Sequence, residues 1–182
     1  RMWGWMAQLY SLRSALSWGI GDFGDLAMLA QVSGRELGAD FVLTSPVAAS
    51  SPGAQQEPSP YYPSSRTYVN PIYLHMEHAA RFAVDSDEER AIVARYGEDA
   101  ETLNASKRIE RDAAYRLKIA ALEALFARGR GARQETSFAR YRADEGDALR
   151  DFAEHCLAAG GTYLRTPVLK AVGSPVNALA VK

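Results

Sequence analysis

The sequence is poor in cysteine, has no long apolar run and carries no excess of either charge. Its one cysteine, Cys156, cannot form a disulfide within the chain, which is typical of a reducing compartment and predicts a cytoplasmic protein. No apolar run approaches the roughly 20 residues that a membrane-spanning helix needs. Lysine and arginine together number 21 against 22 aspartates and glutamates, so no surplus charge favours nucleic acid or an anionic membrane. We therefore expect neither a nucleic-acid partner nor a membrane partner.

What the chain does have is the composition of a folded domain. Its 182 residues are 47% hydrophobic and 24% charged, which is the range of globular proteins and is enough for one domain or part of a larger one. The chain starts at Arg1 without a signal-peptide pattern. Ser174 and Pro175 have the form of the N-cap and first residue of a helix that would run through Ala180. We therefore expect the sequence to be part of a longer protein, truncated at both ends.

The first quarter of the chain has the pattern of a strand–helix–strand unit. Residues 6–10 and 41–43 are short apolar runs that predict strands, and the second suits a strand of a parallel sheet buried on both faces. Between them lies a glycine-rich loop followed by an apolar stripe at helical spacing, with Asp22 as a good N-cap. In such units the loops that follow the strands gather at one edge, where ligands bind. Residues 11–22 and 44–71 should therefore share one functional face.

The second of these loops contains the most distinctive stretch of the sequence. Residues 57–71 hold four prolines, three tyrosines, an arginine and several hydroxyl groups. Proline fixes φ and restricts the residue before it, so the tyrosine rings would be held without regular secondary structure. A stiff loop of aromatic and hydroxyl groups suits recognition of a polyhydroxylated ligand. The alternative, which composition leaves equally open, is an ordered coil whose tyrosines pack against the core.

The remainder of the chain is predicted to be helical after one more strand. Residues 72–76 form a short strand-like run, and a capping box at Ser86 predicts the start of the first long helix. Residues 107–127 carry a wide apolar face and give the clearest helix prediction. A further helix is predicted over 135–158, with Gly146 kinking or dividing it.

No motif in the chain predicts catalysis. Residues 19–24 match G-x-G-x-x-G, but aspartates stand where a phosphate would approach, which disfavours nucleotide binding. His75 and His78 lack further ligands at metal spacing, and Cys156 lies on the apolar side of its helix. Paired carboxylates, which glycoside chemistry needs, do not stand out. We expect no metal, no cofactor and no catalytic residue here. The chemically most suggestive residues are Ser59, Tyr61 and Asn70, followed by Trp18, Asp22 and Arg66.

Five blocks of the sequence resemble the 4-alpha-glucanotransferases (amylomaltases or disproportionating enzymes) of glycoside hydrolase family 77. The blocks agree with that family in order and spacing, and they are residues 4–14, 17–22, 38–43, 59–66 and 70–73. The helical stretches 118–126 and 149–153 also resemble it. The resemblance implies an α/β fold that is part of a (β/α)8 TIM barrel. Residues 1–76 would form its first βα units with a substrate loop at 44–71, and residues 77–182 a helical insertion.

The resemblance also implies a function and roles for residues. The family transfers alpha-1,4-glucan segments between maltooligosaccharides by a retaining mechanism, so the implied partner is a maltooligosaccharide or a starch- or glycogen-type glucan. Its catalytic acids lie on later strands, outside this chain, which alone should be inactive. Ser59 and Tyr61 are the implied substrate contacts, and loop-ordering roles are expected of Trp18, Asp22, Arg66 and Asn70. The alternative is a non-catalytic carbohydrate-binding or scaffold module derived from that fold.

Overall fold

The computed structural model describes residues 1–83, 87–129, 131–159 and 178–180. Over these residues the chain forms two small sheets and five helices. In chain order the elements are β1 (Gly4–Ala7), α1 (Phe23–Arg35), β2 (Phe41–Thr44), β3 (Ala48–Ala49), β4 (Ser65–Val69), α2 (Met76–Ala83), α3 (Asp87–Ala105), α4 (Arg111–Ala127), α5 (Ala132–Ala158) and β5 (Ala178–Ala180).

The predicted strand–helix–strand unit is confirmed. β1 and β2 pair in parallel, in register from Gly4 opposite Phe41 to Ala7 opposite Thr44, with α1 between them. The first strand starts earlier than residues 6–10, and residues 9–11 form a 3-10 turn instead. Gly4 allows the earlier start, because a Cβ at this position would collide with the carbonyl of Phe41.

Both loops that follow these strands leave the same edge of the sheet, as the parallel pairing requires. Ser45, directly after β2, joins them: its backbone N–H donates to Ala7 O at 3.2 Å, and its hydroxyl accepts from the Leu9 N–H at 3.1 Å. Leu9 is fully buried. The expectation that residues 11–22 and 44–71 share one face is therefore confirmed at the point where they leave the strands.

The second edge of β2 pairs with β5, and this pairing is antiparallel. The helix predicted to run from Ser174 through Ala180 is wrong over residues 178–180, which extend as a strand beside β2; residues 174–177 lie outside the described residues. Without β5, backbone N–H and C=O groups on this edge of β2 would be left without partners. Pairing them stabilises the strand more than the N-cap pattern at Ser174 favours a helix. The chain is an α/β protein with a mixed sheet, and the barrel that would contain it stays a prediction.

The strand predicted over residues 72–76 is also wrong. Pro71–Tyr73 is a 3-10 turn, and α2 begins at Met76. Pro71 has no N–H for a ladder, and the Asn70 side chain caps the turn by accepting from the Ile72 N–H at 3.0 Å. A strand that was not predicted, β4, precedes this turn and pairs antiparallel with β3.

The helical part agrees with the prediction in its main features. The helix predicted over 107–127 is α4, which begins at Arg111 and packs against α3, α2 and the 71–73 turn. The helix predicted over 135–158 is α5, and Gly146 interrupts it at φ 55° and ψ −133°. Ser86, the predicted cap before α3, lies outside the described residues. Among the helices that the structure describes, none is long and apolar enough to cross a membrane.

Candidate functional site

The tyrosine loop, residues 57–63, presents two aromatic rings to solvent. Tyr61 is 57% exposed and Tyr62 is 76% exposed, whereas Tyr68 is buried and stacks on Phe152 with ring centroids 4.4 Å apart. Ser59 is half-buried, and its hydroxyl accepts from the Tyr61 backbone N–H at 3.3 Å. Both interpretations of the tyrosines therefore apply, to different residues. Tyr68 packs against the core, whereas Tyr61 and Tyr62 are exposed and available for binding.

A chain of buried side chains closes the base of this loop. The Ser50 hydroxyl donates to Gln56 Oε1 at 3.0 Å and accepts from Asn70 Nδ2 at 2.8 Å. All three residues are at least nine-tenths buried. Gln56 Nε2 also donates to the carbonyls of Ser51 (3.0 Å) and Gly53 (2.7 Å). Buried polar groups keep a defined geometry when each has a hydrogen-bond partner. This network therefore fixes the chain on both sides of the loop that carries the exposed tyrosines.

The helical part of the chain binds the segment that leads into the tyrosine loop. Asp112, in the first turn of α4, accepts from the Gln56 backbone N–H at 2.8 Å. One turn further on, Tyr115 donates from its buried hydroxyl to Pro52 O at 3.2 Å. The position of the tyrosine loop therefore depends on α4 as well as on the two strands.

Asp22 is the N-cap of α1, as predicted, and it has further partners. Its Oδ1 accepts from the Gly24 N–H at 2.8 Å, while Asp25 Oδ2 accepts from the Asp22 N–H at 2.9 Å, which completes a capping box. Asp25 is held in turn by the Ser17 hydroxyl at 2.8–2.9 Å. A phosphate at this helix N-terminus would have to displace the helix's own carboxylate, which argues against the nucleotide reading of residues 19–24.

Lys118 is fully buried and donates to three oxygens. Its Nζ lies 3.1 Å from Asp22 Oδ2, 2.9 Å from Ile72 O and 2.8 Å from Leu74 O. Burial lowers the pKa of Lys118, and the Asp22 carboxylate opposes that shift. Burial by itself raises the pKa of Asp22, but the hydrogen bond from His75 and the charge of Lys118 outweigh it and hold that pKa below its usual value.

The structure divides the predicted site residues into three groups. Asp22 and Asn70 are brought together through Ile72, whose N–H is capped by Asn70 and whose carbonyl binds Lys118. Trp18 is 3% exposed and belongs to the core. It borders a cleft of about 540 Å³ that lies between residues 15–18 and α3. The third group is on the surface, with Ser59 and Tyr61 on the loop and Arg66 exposed on β4. The substrate and loop-ordering roles of these residues stay predictions.

Sequence reasoning missed Lys118 and the loop base formed with Ser50 and Gln56. A signal for Lys118 existed: it lies four residues after Ala114 and four before Leu122, on the buried face of α4. A lysine in such a stripe predicts a buried acceptor, since burying an unpaired ammonium is costly. Ser50 and Gln56 carry no comparable pattern, because their partners are set by how the loop folds back.

The described residues offer binding groups, and their buried ionisable side chains are engaged in structure. They contain no group of three histidine, cysteine, aspartate or glutamate side chains placed to hold a metal ion. Cys156 is fully buried, and burial raises the pKa of its thiol to about 11, which does not suit a nucleophile. The arrangement can present aromatic faces and hydroxyls on a fixed loop.

The described chain is thus an α/β unit whose strand-following loop carries an exposed aromatic pair. Residues 7–164 match the family model described as 4-alpha-glucanotransferase, and the chain belongs to this family. The resemblance found in the sequence is thereby confirmed.

Curated relatives and a solved structure agree with this assignment. A 4-alpha-glucanotransferase of Mycobacterium bovis is 42% identical over 171 residues, covering 87% of this chain and 23% of the relative. One from Haemophilus influenzae is 45% identical over 82 residues, covering 45% of this chain and 12% of the relative. The crystal structure of amylomaltase from Corynebacterium glutamicum aligns with a TM-score of 0.77 at 35% identity, covering 97% of this chain and 25% of that one. The chain thus spans about a quarter of the length of the Mycobacterium bovis relative and of the Corynebacterium glutamicum structure.

Proposed function

We propose that this chain supplies glucan-binding loops of a 4-alpha-glucanotransferase that transfers alpha-1,4-glucan segments between maltooligosaccharides with retention. The observation that carries the proposal is the adjacent exposed pair Tyr61 and Tyr62 on a loop with a buried base. A glucan presents C–H faces and a rim of hydroxyls. Aromatic rings bind the faces, and hydroxyl or amide groups bind the rim.

In this proposal the chain positions the sugar and does not cleave it. Retaining chemistry uses two carboxylates on either side of the scissile bond, one as nucleophile and one as acid/base. Asp22 and Asp25, the buried acids nearest the strand-following loops, are bound to helix N–H groups, Lys118 and Ser17 and are not free to approach a sugar. The acids would then come from later strands of a (β/α)8 barrel, whose first units are residues 1–76.

Tyr61 is the first residue to test. In the full-length enzyme, Tyr61→Ala should weaken maltooligosaccharide use by about 1–3 kcal/mol through loss of one stacking face. Tyr61→Phe keeps the ring and should retain most activity, which makes it the matched control. Glucose release from maltotriose, with KM and kcat separated, measures the effect. Unchanged transfer by a folded Tyr61→Ala enzyme would contradict the role given to this loop.

A second test asks where the chemistry resides. The 182-residue chain alone should give no disproportionation of maltotriose, because the acid pair would be missing. Glucose release above background would place catalytic residues within this chain. If instead the complete protein binds maltooligosaccharides and never transfers them, the alternative of a non-catalytic carbohydrate-binding module is favoured. The cytoplasmic location stays a prediction.

A further inference from the structure

His75 lies between two carboxylates, one at each ring nitrogen. Its Nδ1 is 3.0 Å from Asp22 Oδ1, and its Nε2 is 3.1 Å from Glu77 Oε2. The His75 side chain is 9% exposed. A neutral imidazole carries one N–H, whereas an imidazolium carries two and a positive charge. The neutral ring can therefore bind Asp22, and the protonated ring also attracts the Glu77 carboxylate by its charge.

We propose that His75 is a proton-dependent clasp: when protonated it holds the Glu77 side chain beside the N-cap of α1, and when neutral it stays on Asp22 and releases Glu77. The clasp, formed by His75, Asp22 and Glu77, is independent of the proposed glucan chemistry.

The two carboxylates are not equivalent, and this decides which one is released. Asp22 is fully buried and has a second cation, Lys118, on its other oxygen. A neutral ring keeps its Nδ1–H on Asp22, because an unserved buried carboxylate is the costlier outcome. The Glu77 side chain is 37% exposed and can turn to water. Among the described residues its Oε2 atom has no well-aligned hydrogen bond, so the charge of His75 is what holds it there.

The remaining charged groups around the ring also favour protonation. Asp22 and Glu77 bring two negative charges to the ring, and Lys118 brings one positive charge that opposes protonation. Asp25 acts on the neighbouring Lys118. His78 packs edge-on against the ring with centroids 4.7 Å apart. Asp22, Glu77 and Lys118 together carry a net charge of −1, so a proton on His75 reduces the excess negative charge.

The first turn of α1 holds the ring in place. A Cβ on Gly24 would collide with the imidazole, so the ring lies directly against the backbone at that residue. The ring therefore has no room to move toward α1 when it loses its proton. When the ring loses its proton, the side chain that moves is therefore Glu77, which borders the cleft beside Trp18.

The pKa of His75 is raised, first by its hydrogen bond to Asp22, against the effect of burial, and further by the charges of Asp22 and Glu77. A raised pKa in the folded state means that the contribution to stability is fully present below the ordinary value of 6.5. It is lost as the pH rises from 6.5 through the folded-state pKa. The clasp is thus closed at mildly acidic pH and opens on the alkaline side.

The test is an NMR titration of the His75 Cε1–H in the full chain, assigned by its disappearance in His75→Gln. We expect a midpoint above 6.5 in the parent chain and a lower midpoint in Glu77→Gln, which keeps the side-chain size and removes the charge. Glu101→Gln, an exposed glutamate bordering the same cleft, is the matched control and should leave the midpoint nearly unchanged. A parent midpoint at or below 6.5, or one that Glu77→Gln does not lower, overturns the proposal.

Urea unfolding as a function of pH gives a second readout that does not depend on resonance assignment. The parent chain should lose stability as the pH rises above 6.5, and the loss should be smaller in Glu77→Gln than in Glu101→Gln. Equal losses in both variants would refute the clasp even if each variant folds normally.

Discussion

At the residue scale, Lys118 is a fully buried cation that joins three segments of the chain. Lys118→Met keeps a similar volume but removes the ammonium that binds Asp22 and two backbone carbonyls. Breaking a buried pair in this way costs about 3–5 kcal/mol. Urea unfolding at pH 7 measures the loss.

Lys107→Met is the control, since Lys107 is exposed and the change should stay within about 0.5 kcal/mol. Adding Asp22→Asn to Lys118→Met should restore part of the lost stability, because the uncompensated charge is removed. A Lys118→Met chain as stable as Lys107→Met would mean that the ammonium is dispensable.

Residues with local roles were predictable, and residues with distant partners were not. Asp22 was recognised as an N-cap because the cap depends on the next three residues. Lys118 was missed because its partners lie 96, 46 and 44 residues away. Likewise the sequence showed the aromatic and hydroxyl groups of Tyr61 and Ser59. It did not predict the hydrogen bonds among Ser50, Gln56 and Asn70 that form the base of their loop.

At the element scale, Gly146 divides α5 with a backbone conformation that only glycine adopts easily. Gly146→Ala should destabilise the chain by about 1–3 kcal/mol, because φ 55° with ψ −133° is strained for a side chain, although a Cβ there would meet no neighbour. Thermal unfolding of the variant measures this cost.

The contrast with a second helical glycine makes the test specific. Gly97 lies within α3, and a Cβ there would meet the Trp18 ring at 4.0 Å, an ordinary contact. Gly97→Ala should therefore stabilise by about 0.5–1 kcal/mol through helix propensity. Equal effects of the two substitutions would mean that α5 is continuous through Gly146.

Elements were predicted well where periodicity is strong and poorly where apolar runs are short. α4 and α5 follow from long stripes, whereas residues 72–76 read as a strand and form a 3-10 turn followed by the start of α2. In that segment Pro71 and the Asn70 cap favour the 3-10 turn. A short apolar run by itself does not distinguish a strand from a helical turn.

At the scale of the whole molecule, stability should fall in acid. The pKa of Asp22 is lowered in the folded state, so its contribution is present above the ordinary value of 3.8 and is lost as the pH falls through the lowered pKa. The free energy of unfolding should therefore decrease from pH 5 to pH 2. Asp22→Asn should flatten that decrease, and a variant with an undiminished acid dependence would assign it to other carboxylates.

A (β/α)8 architecture could be expected from the resemblance but not from the strands themselves. In the described part of the chain β1 pairs on one side only; Met2 and Trp3 before it are 77% and 43% exposed, and Met6 within it is 72% exposed. Two parallel strands are compatible with open sheets and with barrels alike, since both begin with the same unit. That choice lies beyond what this segment can specify.

The distance between Asp22 and Lys118 along the chain sets a condition on how the protein is made. During synthesis at about 5–20 residues per second, the lysine is added roughly 5–20 s after the aspartate. Until then the Asp22 carboxylate lacks this ammonium, and the carbonyls of Ile72 and Leu74 lack the donor that they bind in the folded chain. The nascent strand–helix–strand unit therefore waits for a helix made much later, and its interior closes only when that helix arrives.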